Sequence, residues 1–346
     1  MKTWQKATFV FVLILFVAAS VVISLGALSR PTYRYELQSA ADGGAVDGWA
    51  FYAFSGNAGT KTLYIDFVRD KDGNIADGSD PVLGVRKYAV NADEYAEEIV
   101  IGASVRYIDE YAFFNVKKLQ RVTVDPANEW FKDVDGVLFT KDGKTLILYP
   151  VCYGQKPTGE KDRRGDEIYS YPDSYAVPDG VERIGSFAFL KNGHLRDVTL
   201  PDTLREIGDM AFFDCGRLGT YDYDAGTDTL EGTGFSLPEG IEKIGSDAFG
   251  KCGGIAPLIY LPTSVKEIGN HAFFSCGGVK DVYLAAADES QIETGDAWLP
   301  KSIKFGAAWK APEPQYGKTR ADAQTLIEQY RTDKLNALRE EAKGNG

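Results

Sequence analysis

The sequence predicts a repeat solenoid, on three observations. One string, Ile-Gly-x-x-Ala-Phe, recurs at Ile184, Ile207, Ile244 and Ile268, with a degenerate copy, Ile-Asp-Glu-Tyr-Ala-Phe, at Ile108. Its full unit begins at Ile101, Val177, Leu200, Leu237 and Leu261, in steps of 76, 23, 37 and 24, so the underlying period is 23 or 24 residues. Glycine supplies 37 of 346 residues, above the usual ~7%, as a chain of tight turns requires.

A period of 23 falls in the 20–29 range of leucine-rich repeats, in which each coil contributes a strand plus a short turn or helical stretch. A single coil cannot close its own core, so neighbours stack and equivalent apolar positions form ladders. The expected ladders are Ile108/Ile184/Ile207/Ile244/Ile268 and Phe113/Phe189/Phe212/Phe249/Phe273. Proline ends the strand after its last apolar residue, and Gly185, Gly208, Gly245 and Gly269 are expected to permit the tight turn. The step of 37 carries an insertion of about fourteen residues, and the step of 76 a longer one over roughly 125–176. The array therefore holds about five coils, from 99 to 309, ending on a half-copy, Leu299-Pro-Lys-Ser-Ile303.

The flanking elements follow in chain order. Residues 7–28 are almost wholly apolar, behind Lys2 and Lys6. They are long enough to span a bilayer core of ~20 helical residues, and a cleavage site with small residues at the right place is poorly formed. Residues 1–30 thus read as an N-terminal membrane anchor or a signal peptide, with the rest of the chain outside. Residues 31–98 alternate strand-like runs (YRYEL, WAFYAF, KTLYIDFV, VRKYAV) with Gly- and Asp-rich turns, a β-rich cap over the first coil. Residues 310–346 form a Pro-containing linker and a helical tail from Thr319 to Lys343, with Leu326, Ile327, Tyr330, Leu335 and Leu338 as a weak apolar stripe.

The Ile-Gly-x-x-Ala-Phe-x-x-Cys copies resemble the BspA-like (Treponema pallidum-type) leucine-rich repeats of bacterial surface proteins. So does the stretch FKDVDGVLFTKDGKTLILYP at 131–150, which is similar to the β-hairpin inserted between such repeats. The resemblance covers about 99–309 and departs at Val116 and Asn192, where cysteine is expected. It implies an extracellular binding or adhesion role and names no ligand.

Composition narrows the chemistry. Lys plus Arg total 38 against 50 Asp plus Glu, a net charge of −12, which argues against nucleic acid and anionic membrane surfaces. Two histidines, His194 and His271, occupy different positions in the coil, so stacking does not pair them as ligands. Cys215, Cys252 and Cys276 share one repeat position and read as a buried, reduced column; Cys152 stands apart, and no C-x-x-C pair supports zinc or thiol redox. Asp70-Lys-Asp72-Gly73-Asn74 lacks the glycine and glutamate that a calcium loop needs at its sixth and twelfth positions, which leaves an acidic hairpin turn. No cofactor or metal is expected.

Charges within the coils alternate in sign from copy to copy, through Glu182, Arg205, Glu242 and Lys266 in one column and Arg183, Glu206, Lys243 and Glu267 in the next. Such columns stabilise stacked strands and penalise register slips. The other strand of each coil presents residues outward: Arg121/Thr123, Asp197/Thr199, Thr220/Asp222, Leu258/Tyr260 and Asp281/Tyr283. Exposed aromatics beside carboxylates suit a sugar or a protein hot spot, so Tyr260, Tyr283, Asp281, Asp222, Asp197, Thr199 and Arg121 are the candidate ligand-binding residues; ordinary strand formers on a solvated sheet account for them equally well. The polar insertion at 153–176 carries Arg164-Gly165-Asp166, a tripeptide that integrins read and that also recurs by chance. The function expected is an exported surface protein binding an extracellular protein or glycan. Two alternatives stand beside it: a polysaccharide hydrolase using Asp222 and Asp281, and a purely architectural envelope protein.

Overall fold

The computed structural model describes residues 32–38, 46, 48–55, 61–70, 74–75, 78–232, 234–255, 257–299 and 312–344. The apolar run at 7–28, part of the acidic turn at 71–73 and the half-copy from Pro300 onward lie outside these residues. Among the described residues no helix is long and apolar enough to cross a membrane.

The repeat period builds an inner ladder of short parallel strands, 183–184, 206–207, 243–244, 267–268 and 293–294, with Ile184, Ile207, Ile244 and Ile268 in register. Five residues after each isoleucine, the phenylalanine side chain enters the core. Phe189, Phe212, Phe249 and Phe273 stack at centroid spacings of 4.7, 5.3 and 5.2 Å with ring planes within 7°. Beside them the cysteines are reduced and buried. The Sγ of Cys215, Cys252 and Cys276 donates to Phe189 O, Phe212 O and Phe249 O respectively, at 3.0, 2.9 and 3.0 Å. Each thiol thus satisfies a carbonyl of the coil below, one reason a small polarisable residue fits this position.

The repeat glycines do something other than relax a turn. None of Gly185, Gly208, Gly245 and Gly269 has a positive φ. A Cβ on Gly208, Gly245 or Gly269 would instead lie 2.6, 2.6 and 2.4 Å from the backbone nitrogen of Ser186, Asp209 or Ser246 in the preceding coil. Glycine is needed for coil-to-coil approach. The left-handed backbone falls on non-glycine residues either side of Ala-Phe: Phe187, Met210, Asp247 and His271 before it, Lys191, Asp214, Lys251 and Ser275 after it. Left-handed geometry costs such residues ~1–2 kcal/mol each, which the stacked core and the coil-to-coil hydrogen bonds offset.

The insertion at 131–150 divides the array. Its strands, 131–134, 137–140 and 145–148, form an antiparallel sheet, and 145–148 then pairs in parallel with 183–184. Alternation along this sheet serves two cores: Val137, Phe139, Leu146 and Tyr149 face the C-terminal stack, whereas Phe131, Leu138 and Leu148 face an N-terminal one. Ile108 and Phe113 therefore do not continue the ladders of Ile184 and Phe189. They stack on Val85 and Val90 in the N-terminal core, and Tyr149 takes the vacated step, 4.9 Å from Phe189.

The N-terminal stack also begins earlier than the repeat string. Strands 62–65, 98–101 and 121–124 pair in parallel, as do 82–85 with 107–108 and 90–91 with 113–114. Residues 62–97 are thus a coil rather than part of a cap, with Val85-Arg-Lys-Tyr-Ala89-Val90 in the place of Ile-Gly-x-x-Ala-Phe. The hairpin of 32–38 and 48–55 precedes it, its second strand pairing in parallel with 82–85. At the other end Thr294-Gly295-Asp296-Ala297-Trp298 is a worn final copy, with Gly295 against Asn270 N.

Candidate functional site

The outer strands do not form one sheet. Strands 174–176 and 197–199 pair with each other, 222–224 folds back on 229–231, and 258–261, 281–284 and 314–315 make a third unit. The insertion after Tyr221 is the cause: its hairpin takes the strand that would have carried Asp222 beneath Tyr260.

Charge organises the first two units. The Arg196 side chain, 13% exposed, lies within 3.7 Å of four carboxylates: Asp173, Asp197, Asp222 and Glu231. Asp222 also accepts from Arg217 at 2.6 Å. Asp197 and Asp222 are thus brought together, as ligands of one arginine. Thr199 is exposed at the end of its strand. Arg121 lies far off in the N-terminal stack, where it and Thr123 donate to Glu98 at 2.8 and 2.7 Å. Burial pushes the Glu98 carboxyl up, but these hydrogen bonds outweigh it and hold it below the usual range.

Tyr260 and Tyr283 are in register on adjacent strands, as the repeat predicts, but they are not free. The C-terminal helix, Arg320–Gly344, lies along this face. Thr319 and Asp322 start it with a reciprocal cap: Thr319 N donates to Asp322 Oδ2 at 2.8 Å, and Asp322 N to Thr319 Oγ1 at 3.2 Å. The Arg320 guanidinium sits 4.8 Å over the Tyr260 ring and the Lys318 ammonium 5.2 Å over Tyr283. Leu258, expected to face outward, is 4% exposed, and Asp281 accepts from Gln315 Nε2 at 3.4 Å. Burial raises the Tyr260 phenol above its ordinary range. The helix docks along the outer face rather than on the end of the solenoid, through its half-buried stripe and its cations.

The seat beneath the helix is incompletely filled. A cavity of about 240 Å³ lies between its first turns and Phe235, Leu237, Leu258 and Tyr260. A second cleft of about 540 Å³ opens beside its middle, against the coil turns at Tyr221, Gly253 and Lys280. The outward-residue reading missed this cleft, because a third of its lining residues come from the tail; Tyr330 in the weak apolar stripe was the available signal.

Arg164-Gly165-Asp166 forms the tip of a β-hairpin, 156–161 against 167–170. Asp162 Oδ1 accepts from Arg164 N and Asp166 N at 2.8 and 3.0 Å, and Gly165 has φ +88°. The Arg164 side chain is 84% exposed. His194 stacks on Tyr171 at 3.6 Å, and His271 meets Phe274 edge-on, so the two histidines remain apart. Asp70 and Asn74 close a turn on each other through Asp70 Oδ1 and the backbone. Among the described residues no group of three or more His, Cys, Asp and Glu side chains is arranged to hold a metal ion.

Comparison with known proteins agrees with this architecture. The family described as the BspA type leucine rich repeat region matches in six copies, over residues 85–139, 170–276 and 228–295. Among solved structures, a leucine-rich repeat protein from Eubacterium ventriosum is similar at 17% identity, over 63% of this chain and 52% of that one, with a TM-score of 0.45. The pneumococcal vaccine antigen PcpA is similar at 18% identity, over 86% and 94%, with a TM-score of 0.40. A leucine-rich cell surface protein from Faecalibacterium prausnitzii is similar at 22% identity, over 61% and 53%, with a TM-score of 0.38. The chain spans about half the length of the Eubacterium protein. No curated protein matches. The repeats matched cover just over half of the sequence, and the chain belongs to the BspA-type leucine-rich repeat family.

Proposed function

We propose that this chain is a cell-surface protein that binds an extracellular protein or glycan through the outer side of its coils, with no catalytic step. The observation that carries the reading is how the outer polar side chains are held. Arg196 fixes Asp197 and Asp222, Glu98 fixes Arg121 and Thr123, and the rings of Tyr260 and Tyr283 lie in register. Side chains pinned on a rigid repeat lose little entropy when a partner arrives, which favours recognition. The hydrolase reading finds less support. Asp222 and Asp281 sit on separate sheets, and Asp222 is already taken up by Arg196 and Arg217.

The experiment is a binding panel of matrix proteins and glycans against the full chain, run beside Tyr260→Ala/Tyr283→Ala and Arg164→Ala. Binding lost in the double tyrosine variant at a temperature where it remains folded is the expected result and would locate the contact on the outer strands; its melting temperature should fall modestly, as the Arg320 and Lys318 contacts go. Loss only in Arg164→Ala moves it to the hairpin tip. No binding by the parent refutes the proposal and favours the architectural alternative. Protease shaving of intact cells tests the surface location, and full protection would overturn it.

A further inference from the structure

We propose that the cleft of about 540 Å³ beside the C-terminal helix binds an acidic saccharide unit, one bearing a carboxylate or a sulfate. This rests on the reading of the chain as a binding protein and names the class of ligand. The volume lies within the ~300–1,000 Å³ usual for small-ligand sites.

Three cations line the cleft: Lys280 from the coil, and Arg331 and Lys334 from the helix. Among the described residues none of the three has a carboxylate partner. Lys280 Nζ lies 4.6 Å over the Tyr330 ring, Arg331 Cζ 5.1 Å over Tyr221, and Lys334 Nζ donates to Tyr221 O at 2.9 Å. Nearby arginines behave differently: Arg217 pairs with Asp222, Arg320 with Glu239 and Arg339 with Asp228. In a chain of net charge −12, the cleft gathers three cations that rest on aromatic rings and a carbonyl instead of carboxylates. A cation seated on a ring keeps N–H donors for an incoming anion.

The remaining wall suits a polyol. Asp333 is the one carboxylate in the lining; it accepts from Gln329 Nε2 at 3.0 Å and keeps acceptor capacity for a sugar hydroxyl. The floor is bare backbone. A Cβ on Gly254 would meet Thr220 Cγ2 at 2.6 Å, whereas a Cβ on Gly253 would point into open space. Gly253 is therefore a position from which a side chain can fill the cleft without disturbing the coil.

The test uses the full chain with three probes in calorimetry: an unsulfated chondroitin disaccharide, its sulfated counterpart, and N-acetyllactosamine as the neutral control. At least one acidic disaccharide is expected to bind about tenfold or more tightly than the neutral one, as loss of one charge-assisted hydrogen bond implies, and to weaken as salt rises. The two acidic arms distinguish carboxylate from sulfate. Gly253→Leu is expected to weaken binding about tenfold or more while the melting temperature holds; Lys280→Gln/Arg331→Gln is expected to weaken it equally and, because it removes two helix-to-coil contacts, to lower the melting temperature slightly. Equal affinity for the neutral sugar, unimpaired binding by Gly253→Leu, or equally tight binding of a hexaglutamate peptide would overturn the proposal. If the full chain binds a matrix protein or neutral glycan in the broader panel but neither acidic disaccharide, the cleft assignment falls and the surface-binding role stands. If it binds nothing in either experiment, both fall.

Discussion

Replacing Gly245 by alanine isolates what the repeat glycine does. Its φ is not left-handed, so backbone preference alone predicts that alanine is harmless or stabilising by ~0.4–1 kcal/mol, through a less flexible unfolded chain. The coil below dictates otherwise. The new Cβ would lie 2.6 Å from both Asp209 N and Gly208 C, and 2.7 Å from Asp209 Oδ1. The two closest atoms belong to one backbone peptide held on both sides: Asp209 N donates to Ser186 Oγ at 3.1 Å and Gly208 O accepts from Ala211 N at 3.3 Å. Neither can swing aside, so the coils must part locally. Overpacking of this kind costs about 1–3 kcal/mol, and backbone contacts place it at the upper end. At ~2–4 °C per kcal/mol, a cost of ~3 kcal/mol lowers the melting temperature by about 6–12 °C. Gly193→Ala is the matched control, since its Cβ meets nothing within 4 Å. Thermal unfolding by circular dichroism compares the two, and hydrogen exchange of the 206–213 and 243–250 amides locates the opening. A Gly245→Ala variant that melts like Gly193→Ala would refute the argument that glycine serves coil contact.

The remaining predictions concern the core and its charges. Phe249→Ala removes the middle of the ring stack, between Phe212 and Phe273, and should destabilise by ~3–5 kcal/mol in denaturant titration. Burial raises the thiols of Cys252 and Cys276 well above their usual range, so in the native chain a thiol reagent should label Cys152 alone, and the other three cysteines only after unfolding; rapid labelling of all four would contradict the column. Lys243→Glu places a third acid between Glu206 and Glu267, its present partner at 2.8 Å. It should cost ~0.5–1 kcal/mol at low salt and less at high salt, with Glu267→Lys restoring part of the loss. Burial raises the phenols of Tyr33, Tyr35, Tyr149 and Tyr175, and burial with the hydrogen bond to Asp209 pushes Tyr111 up to about 12. A phenol that keeps its proton when folded but loses it near pH ~10 when unfolded stabilises fully below that pH and progressively less above it. Urea midpoints should therefore hold to about pH 10 and fall beyond it.

What the sequence reveals here is whatever one coil repeats from the last. The isoleucine and phenylalanine ladders from 184 to 273, the cysteine column and the alternating charges are periodic, so a reader of the string sees them in advance; the ion pairs Arg183–Glu206, Lys243–Glu267 and Lys266–Glu242 form as the columns require, whereas Arg205 turns to the carbonyls of Asp202 and Leu204. The helix from Thr319 and the hairpin at 131–150 are local signals and appear where expected. The coil at 62–97 is concealed because arginine replaces its glycine and valine its phenylalanine. The glycine's purpose is concealed for a different reason. A string shows that side chains are absent at Gly208, Gly245 and Gly269, but only the neighbouring coil shows whether that space holds a turn or another backbone. Likewise Leu258 and Tyr260 alternate as outward residues should, yet alternation says nothing of a helix sixty residues later that lies over them.

That helix changes how the outer face must be understood. Its contacts with the coils are cations over rings, Arg320 on Tyr260, Arg331 on Tyr221 and, reciprocally, Lys280 of the coil on Tyr330 of the helix, together with the exposed ion pairs Arg320–Glu239 and Arg339–Asp228; among its described residues Ala323 is the one almost fully buried. Cation–ring contacts at partly exposed sites are worth ~0.5–1 kcal/mol each, far less than a continuous apolar stripe would contribute. A stripe would have sealed the seat; instead the helix bridges the coils and leaves a cavity under one part and a charged cleft beside another. The acidic and aromatic residues that look like a ligand surface in the bare repeat are therefore largely spent on internal partners, Arg196, Arg217, Arg320 and Lys318. Among the described residues Lys280, Arg331 and Lys334, at the margin of the helix, have no carboxylate partner. Beside the helix, the proposed cleft offers cations that keep N–H donors, whereas the outward aromatics there already carry cations of their own.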